Sequence, residues 1–349
     1  MIRIITSNKA VSLQTVAMDI VKVGLKAGLD IQWFDRIFPA YEIRQAGDSA
    51  IIFMPVDPQY SVPYILLARD LKRGGVKAIY YGVVEGKLDT RSLRPWMKEA
   101  DFIAVSNYVR DKLIEAGLRV IDVVHHGVDL ERIEEAKRMP GAGLSYLKGH
   151  GLDPSKDVIV TTIANSHPRK GLAWYDMVVD EVSKKDESIK FLIITEEKGL
   201  NYFKQKPNLV VTADFGRLNR TTVLSVMANS HVLAIPSFAE GFGLPAIEAM
   251  ALGTPTVHAA LPPLMEFSTG FVVPVEGISY LDNTPASPSG IIYEEHLWEP
   301  SKFAEVLLQV VDLVRNKREA IEDWRARSAE VARKMDIHNC YPRLLKYVS

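Results

Sequence analysis

Residues 234–257, AIPSFAEGFGLPAIEAMALGTPTV, decide the fold because they contain a strand, a loop, a helix and the start of a second strand. The apolar stretch 231–235 predicts a short strand, and a glycine-containing loop follows it. Pro245 suits the first turn of a helix, where its missing N–H costs nothing, and Gly253 suits the helix end. The next strand begins at Thr254. This order predicts one βαβ unit of a parallel sheet.

The junction between this loop and its helix carries the chemistry. A helix N-terminus attracts anions, and Gly241 and Gly243 have no side chain to keep a ligand away from the backbone. Two carboxylates, Glu240 and Glu248, flank the junction, and carboxylates are good acceptors for sugar hydroxyls. A ligand with a diphosphate and hydroxyl groups, such as a sugar nucleotide, satisfies both features. Taken alone, two glutamates at this spacing fit equally well a capped helix whose second glutamate is solvated.

The stretch Glu240–Ala249, EGFGLPAIEA, resembles the E-x7-E motif of retaining GT-B glycosyltransferases, in particular glycosyltransferase family four, whose members are also called group 1. Residues 253–257, GTPTV, resemble the usual continuation of that motif. The resemblance implies a catalytic role for Glu240 and a ribose-binding role for Glu248. It implies donor contacts by the four residues that follow Glu240 and lead into the helix: Gly241, Phe242, Gly243 and Leu244.

A second candidate site lies earlier, in the loop after a predicted strand at 157–163. This first βα loop of a sheet is a natural phosphate position, and it contains the adjacent cations Arg169 and Lys170. The family has an arginine and a lysine here that clamp the donor diphosphate. The family arginine usually stands five residues before the lysine, where this chain has Asn165, so the resemblance assigns the clamp to Arg169 and Lys170 with Asn165 nearby. The alternative is a solvated basic turn.

Phe215 lies in a loop that often packs against the nucleotide base in this family. It is therefore a candidate for stacking on the base, and a plain core aromatic is the alternative. Strands and helices alternate from Ile2 onward, which is typical of a doubly wound α/β sheet. With the resemblance, this pattern predicts a GT-B fold in which two Rossmann-like domains with parallel sheets face each other across a cleft.

Composition excludes several classes of protein. The 349 residues are 47% hydrophobic and 24% charged, with a formal net charge of −1, so nothing points to a nucleic-acid partner. The single cysteine, Cys340, excludes an intramolecular disulfide. There is no run of about 20 apolar residues for a membrane span. We therefore expect a cytoplasmic protein, with peripheral membrane contact if the acceptor is a lipid.

The predicted domains are an acceptor domain at 1–148, a donor domain at 149–335 and a C-terminal helix at 336–349 that crosses back to the first domain. Within this plan, the glycine-rich segment 141–156 is predicted to be the hinge. Residues 280–290 are predicted to form an exposed loop.

The predicted function is transfer of a sugar, with retention of its anomeric configuration, from a nucleotide diphosphate sugar to a hydroxyl acceptor. The acceptor is a glycan, a lipid or a small molecule, and neither a metal nor another cofactor is expected. Two alternatives stay open: a nucleotide-sugar epimerase of the same fold, and a non-catalytic nucleotide-sugar-binding protein. Sequence leaves the oligomeric state undetermined.

Overall fold

The structure is a computed structural model that describes residues 1–282 and 290–349. Its first sheet has six parallel strands in the order β2-β1-β3-β4-β6-β7. The strands of this half, including a separate short one, are β1 Ile2–Ile5, β2 Ile31–Phe34, β3 Ser49–Pro55, β4 Ala78–Val83, β5 Gly86–Leu88, β6 Phe102–Ala104 and β7 Val120–Val123. The helices are α1 Val11–Lys26, α2 Ala40–Gln45, α3 Val62–Arg73, α4 Asn107–Glu115, α5 Leu130–Arg138 and α6 Gly141–Gly149.

A second sheet repeats the arrangement with six parallel strands in the order β10-β9-β8-β11-β12-β13. The strands of this half are β8 Val158–Ile163, β9 Ile189–Ile194, β10 Leu209–Thr212, β11 Val232–Ile235, β12 Thr256–Ala259, β13 Phe271–Val273, β14 Gly277–Asp282 and β15 Ile291–Leu297. The helices are α7 Leu172–Lys185, α8 Arg220–Ala228, α9 Leu244–Leu252, α10 Pro262–Met265, α11 Pro300–Asn316, α12 Arg318–Lys334 and α13 Ile337–Leu345.

Both central strands of each sheet are buried on both faces, as helix-covered parallel strands must be. Residues 50–54 of β3 and 232–235 of β11 are buried throughout, which explains why they read as continuous apolar runs. The two parallel sheets confirm the predicted α/β class. The predicted unit at 234–257 is confirmed as β11, α9 and β12.

A third sheet, missed by sequence analysis, joins the two halves. β15 pairs antiparallel with β14 on one side and with β5 of the first half on the other. We call β14, β15 and β5 the bridging sheet. Strand β5 has three residues, too few to carry a period-2 pattern, and its partner lies about 200 residues away in sequence, so local patterns could not reveal it.

Gly86→Ala is expected to weaken the bridging sheet. A Cβ at residue 86 would lie 2.1 Å from the carbonyl oxygen of Ile292 and 2.7 Å from the amide nitrogen of Glu294. These are backbone atoms that no side-chain rotation can clear, and overpacking of this kind costs about 1–3 kcal/mol. The measurement is the midpoint of thermal unfolding. Gly277→Ala in the same sheet is the matched control, since a Cβ there meets no described atom within 4 Å. Equal midpoints for the two variants would contradict the prediction.

A second contact between the halves is made by Glu266, which follows α10. Its carboxylate accepts hydrogen bonds from the backbone amides of Asn107 and Tyr108, each at 2.9 Å. These amides are the first two of α4, so Glu266 satisfies a helix N-terminus in the other half. The same carboxylate lies 2.8 Å from Nε2 of His125. The cleft between the halves is therefore bridged by ionic contacts as well as by strand pairing.

Two local predictions differ from the structure. The glycine-rich segment predicted as a hinge contains helix α6, which packs against α8. Gly143 is needed for this packing and not for a turn, because a Cβ there would lie 2.4 Å from the backbone of Ser225. Residues 280–282, predicted as loop, belong to β14, and Gly290 is buried, not exposed. Residues 283–289 of that predicted loop lie outside the described residues.

The C-terminal helix α13 packs against α1 of the first half. The chain continues along the same half, where Ser49 Oγ donates a hydrogen bond of 2.6 Å to the carbonyl oxygen of Val348. The domain limits at 148/149 and 335/336 stay a prediction. Across the two described ranges, no helix has the combination of length and apolar character that a membrane span requires.

Candidate active site

The candidate site is formed by the loops after β8 and β11. These two strands are neighbours at the point where the strand order of the second sheet reverses, so their loops leave in opposite directions and open a crevice. The loops also contact each other directly, because the amide of Phe238 donates a 2.7 Å hydrogen bond to the carbonyl oxygen of Arg169. The structure thus brings the two sequence-predicted motifs, 70 residues apart, into one place.

Four polar side chains meet at this contact. Nζ of Lys170 lies 2.5 Å from Oε1 of Glu240, and Ser237 Oγ donates to the same oxygen at 2.7 Å. Nη1 of Arg169 lies 4.0 Å from Oε2 of Glu240 and donates to the carbonyl oxygen of Ala239 at 3.2 Å. Arg169, Lys170 and Glu240, the three predicted catalytic residues, therefore form one cluster at the edge of the second sheet.

Sequence analysis missed the fourth charged member of this cluster. Glu85 follows β4 of the first half, and its Oε2 lies 2.8 Å from Nε of Arg169 across the cleft. Its side chain is 22% exposed, whereas those of Arg169, Lys170 and Glu240 are 15% exposed or less. The available signal was a charged residue two positions after the end of a buried strand, at the end of a sheet where ligands bind.

The charges in this cluster shift one another's pKa. Burial acts to raise the pKa of Glu240, but Lys170 and Arg169 outweigh it and hold that pKa below its usual value. Burial lowers the pKa of Lys170, and the positive charge of Arg169 adds to the shift. Burial raises the pKa of Glu85, and the nearby Glu240 charge adds to it, although Arg169 and Lys170 oppose both effects. Of the two carboxylates, Glu85 is therefore the one that takes up a proton more readily.

Two glycines adopt left-handed backbone conformations where the loops turn into helices. Gly171 has φ +66° and immediately precedes α7, and a Cβ there would lie 2.1 Å from the carbonyl oxygen of Pro236. Gly243 has φ +103° and precedes α9. Non-glycine residues are strained in this region, so both positions require glycine for the loops to have this shape.

Gly241, by contrast, is placed against the first half. Ser106 Oγ donates a 3.0 Å hydrogen bond to its carbonyl oxygen, and a Cβ at 241 would lie 2.3 Å from Cγ2 of Val83. The absence of a side chain here lets the two halves approach. The role predicted for this glycine, access of a ligand to the backbone, stays a prediction.

The remaining predicted donor-binding residues differ in the exposure of their side chains. Phe242 is buried, stacked on Phe267 at 4.8 Å between ring centroids, so its side chain belongs to the core. Asn165 is half-buried, and its Oδ1 accepts a hydrogen bond from the amide of His167. Leu244 and Phe215 are half-buried as well, and Phe215 packs against a small apolar cluster around Leu147, Leu152, Ile159, Leu192, Ile194 and Val226.

Glu248, the second glutamate of the motif, is buried on α9 and forms an ion pair through Oε1 with Arg220. Arg220 is the first residue of α8, and sequence analysis missed it because its partner is 28 residues away in another helix. Burial lowers the pKa of Arg220 to about 10. The pair holds the carboxylate in place within the helix layer.

Asp19 of α1 lies near this pair and is buried in the first half. Arg132 Nη1 donates to its Oδ1 at 3.1 Å, yet burial raises the pKa of Asp19 to about 6. An unfolded aspartate loses its proton near pH ~4. Between pH 4 and pH 6, Asp19 is therefore protonated in the folded protein and ionised in the unfolded protein. Stability contributed by this group is therefore present below pH 4 and is lost as the pH rises through 6.

We expect Asp19→Asn to gain stability relative to the wild type as the pH rises from 4 to 7. Asparagine reproduces the neutral form at every pH, and a shift of two pKa units corresponds to at most about 3 kcal/mol. Urea unfolding of both proteins at pH 4, 5, 6 and 7 measures the difference. A constant difference over this range would show that the carboxyl of Asp19 titrates normally.

Known glycosyltransferases are similar in sequence to this chain. Residues 157–281 match the family described as "Glycosyl transferases group 1". This segment is similar to a group 1 glycosyltransferase domain. It contains both loops of the candidate site, and the match confirms the resemblance to group 1 glycosyltransferases. An uncharacterized glycosyltransferase of Sulfolobus islandicus rod-shaped virus 1 is 23% identical over 305 residues, which cover 86% of this chain and 88% of the viral protein.

Other known proteins are similar to part or all of the chain. A D-inositol 3-phosphate glycosyltransferase of Mycobacterium sp. (strain KMS) is 32% identical over 151 residues, covering 40% of this chain and only 32% of that relative. Among solved structures, the trehalose-6-phosphate synthase OtsA superposes with a TM-score of 0.73 at 11% identity, over 99% of this chain and 98% of its own. Anabaena HepE, solved in complex with UDP and glucose, superposes with a TM-score of 0.67 at 14% identity, over 99% and 98%. These likenesses confirm the predicted GT-B fold.

Proposed function

We propose that the protein is a retaining glycosyltransferase that moves a sugar from a nucleotide diphosphate sugar to a hydroxyl acceptor without a metal ion. One observation carries the proposal: Arg169, Lys170 and Glu240 meet at the strand-order reversal of the second sheet, where α/β folds bind ligands. The group 1 glycosyltransferase match supports the donor class.

In this proposal the donor lies along the second sheet. Its diphosphate is held by Arg169, Lys170 and the first backbone amides of α9, at Gly243 and Leu244, because a helix N-terminus favours negative charge. Guanidinium can hold phosphate oxygens in a bidentate fork, and lysine acts as a point charge. Glu248 accepts from the ribose hydroxyls through Oε2.

The donor sugar lies next to Glu240 in the cleft, with its hydroxyls donating to that carboxylate. The low pKa of Glu240 keeps it ionised, so it also stabilises positive charge that develops on the sugar ring. Asn165 and Phe215 are assigned to the edges of the donor site, with Phe215 beside the base. A sugar held this way presents its anomeric carbon toward the first half, where the acceptor binds.

Transfer proceeds by front-side attack. The bond between the anomeric carbon and the phosphate oxygen breaks while the acceptor oxygen bonds to the same face of that carbon. The acceptor's proton passes to the leaving phosphate oxygen. Arg169, Lys170 and the α9 amides stabilise the charge on the leaving diphosphate. Removal of one preorganised donor of this kind costs about 2.7–4 kcal/mol in an oxyanion hole.

The test uses the purified full chain and a panel of nucleotide sugars. Thermal shift identifies the donor, because a ligand that binds only the folded state raises the melting temperature. UDP-glucose is the first probe, since HepE was solved with UDP and glucose. Acceptors are then screened for release of free nucleoside diphosphate with EDTA present, and the product's anomeric configuration is read by NMR.

Each outcome separates the proposal from its alternatives. Release of nucleoside diphosphate on adding an acceptor, with retained configuration and no effect of EDTA, supports the proposal. Binding without turnover on a panel of glycan, lipid and small-molecule acceptors would favour a non-catalytic binding protein. Conversion of the donor to an isomeric sugar nucleotide would favour an epimerase. A lipid acceptor would bring the cytoplasmic protein to a membrane surface.

A further inference from the structure

Glu85 occupies an unexpected position for a carboxylate in a site that binds diphosphate. Its Oε2 lies 2.8 Å from Nε of Arg169, the cation assigned to the donor. The other cation, Lys170, is engaged by Glu240 at 2.5 Å. Two positive and two negative side chains thus form a cluster with no net charge. A diphosphate has little favourable electrostatic interaction with such a cluster unless one of the carboxylates moves away from its cation.

The carboxylates of Glu85 and Glu240 are not equally easy to displace from their cations. Glu240 belongs to the same loop pair as the cations, receives a hydrogen bond from Ser237, and is 9% exposed at its side chain. Glu85 comes from the opposite half, is 22% exposed, and in the described part of the chain its carboxylate contacts Arg169. The geometry therefore makes Glu85 the carboxylate that a diphosphate can displace.

The backbone at Glu85 is held by the bridging sheet. Its carbonyl oxygen accepts from the amide of Glu294 at 3.3 Å, and the next residue, Gly86, is paired with Tyr293 in the bridging sheet. The backbone on which Glu85 stands is thereby tied to the second half. A change of side-chain rotamer, rather than separation of the two halves, is enough to release Arg169.

We propose that Glu85 is a positioning residue that acts through Arg169, holding the guanidinium until the donor diphosphate displaces the carboxylate, and so sets how tightly the donor binds. This inference rests on the proposed function. Because burial favours the neutral form of Glu85, the displaced carboxyl can take up a proton instead of remaining as a buried charge. The ionisable groups that face it are Arg169, Lys170, Glu240, Tyr293 and Tyr108.

The test measures dissociation constants of UDP, GDP and ADP by calorimetry for the wild type and for Glu85→Gln. Glutamine keeps the shape and loses the charge, so it competes less with diphosphate. We expect it to bind the best nucleoside diphosphate about tenfold more tightly, which corresponds to ~1.4 kcal/mol. Glu85→Asp keeps the charge and should restore affinity toward that of the wild type.

The matched control is Glu294→Gln. Glu294 is buried in the same bridging sheet, but its carboxylate pairs with Lys112 at 2.8 Å and not with a donor cation, so its replacement should leave the dissociation constant within twofold. A general loosening of the bridging sheet would instead change affinity in both variants, and that result would overturn the inference. Should Glu85→Gln fail to fold, Glu85→Ala replaces it with the same expected gain.

A second readout depends on protonation. Wild-type affinity should rise from pH 8 to pH 6 more steeply than that of Glu85→Gln, because only the wild type takes up a proton at residue 85. The terminal phosphate of UDP also titrates near pH 6, and comparing the two proteins removes its contribution. Equal dissociation constants and equal pH slopes would overturn the inference alone. If neither folded protein binds any of the three nucleoside diphosphates, the proposed function fails with it.

Discussion

Lys170→Ala is expected to reduce kcat for sugar transfer by about 10²- to 10³-fold, the loss typical when one preorganised group that stabilises transition-state charge is removed. The side chain of Lys170 is 15% exposed, lies in the loop after β8, and contributes the positive charge next to Glu240. Alanine removes that charge from the leaving diphosphate and from Glu240 at once. Steady-state release of nucleoside diphosphate, measured with saturating donor and acceptor, tests the effect.

The structure also indicates what this variant does to stability. Glu240 loses its closest cation but keeps Arg169 at 4.0 Å and the hydrogen bond from Ser237, so we expect a folded protein with a lower melting temperature. Lys156→Ala, which removes an exposed lysine of the same half, is the matched control and should behave as the wild type. Turnover of Lys170→Ala within tenfold of the wild type would refute the assignment of Lys170 to the diphosphate.

Local sequence patterns could predict those parts of the fold whose signals lie within about 30 residues of one another. The βαβ unit at 234–257 shows its strand, glycine turn and helix end in consecutive residues, and the parallel sheets follow from repeating that pattern. Strand β5 and helix α6 were missed for the opposite reason. β5 is defined by pairing with β15, and the glycines of α6 serve packing against α8, so neither is specified by its own segment.

The same distinction between local and distant signals applies to the residues of the candidate site. Arg169, Lys170, Glu240 and Glu248 could be predicted because each lies in a loop or helix whose own sequence carries the motif. Arg220 was missed because it is identified only by the partner that it neutralises. Glu85 follows a buried strand, but only its contact with Arg169 links it to the loops of the second half. A buried charge needs a partner, so each predicted carboxylate implied a cation, but sequence does not say which of the 42 lysines and arginines supplies it.

Arg220→Ala is expected to destabilise the protein by about 3–5 kcal/mol, the cost of leaving a buried carboxylate without its cation. Glu248 is 5% exposed on α9, and Arg220 is the residue with which it pairs in the described structure. Urea unfolding at pH 7 measures the effect.

Arg217→Ala is the matched control, because Arg217 lies three residues earlier, is 65% exposed and pairs with an exposed glutamate at 3.4 Å. Its loss should change stability by no more than about 0.5 kcal/mol. The double variant Arg220→Met with Glu248→Gln removes both charges together and should recover most of the lost stability. If Glu248 also holds the ribose, that stable double variant will still bind UDP more weakly than the wild type. Wild-type affinity in the double variant would mean that Glu248 serves only to hold α8 against α9.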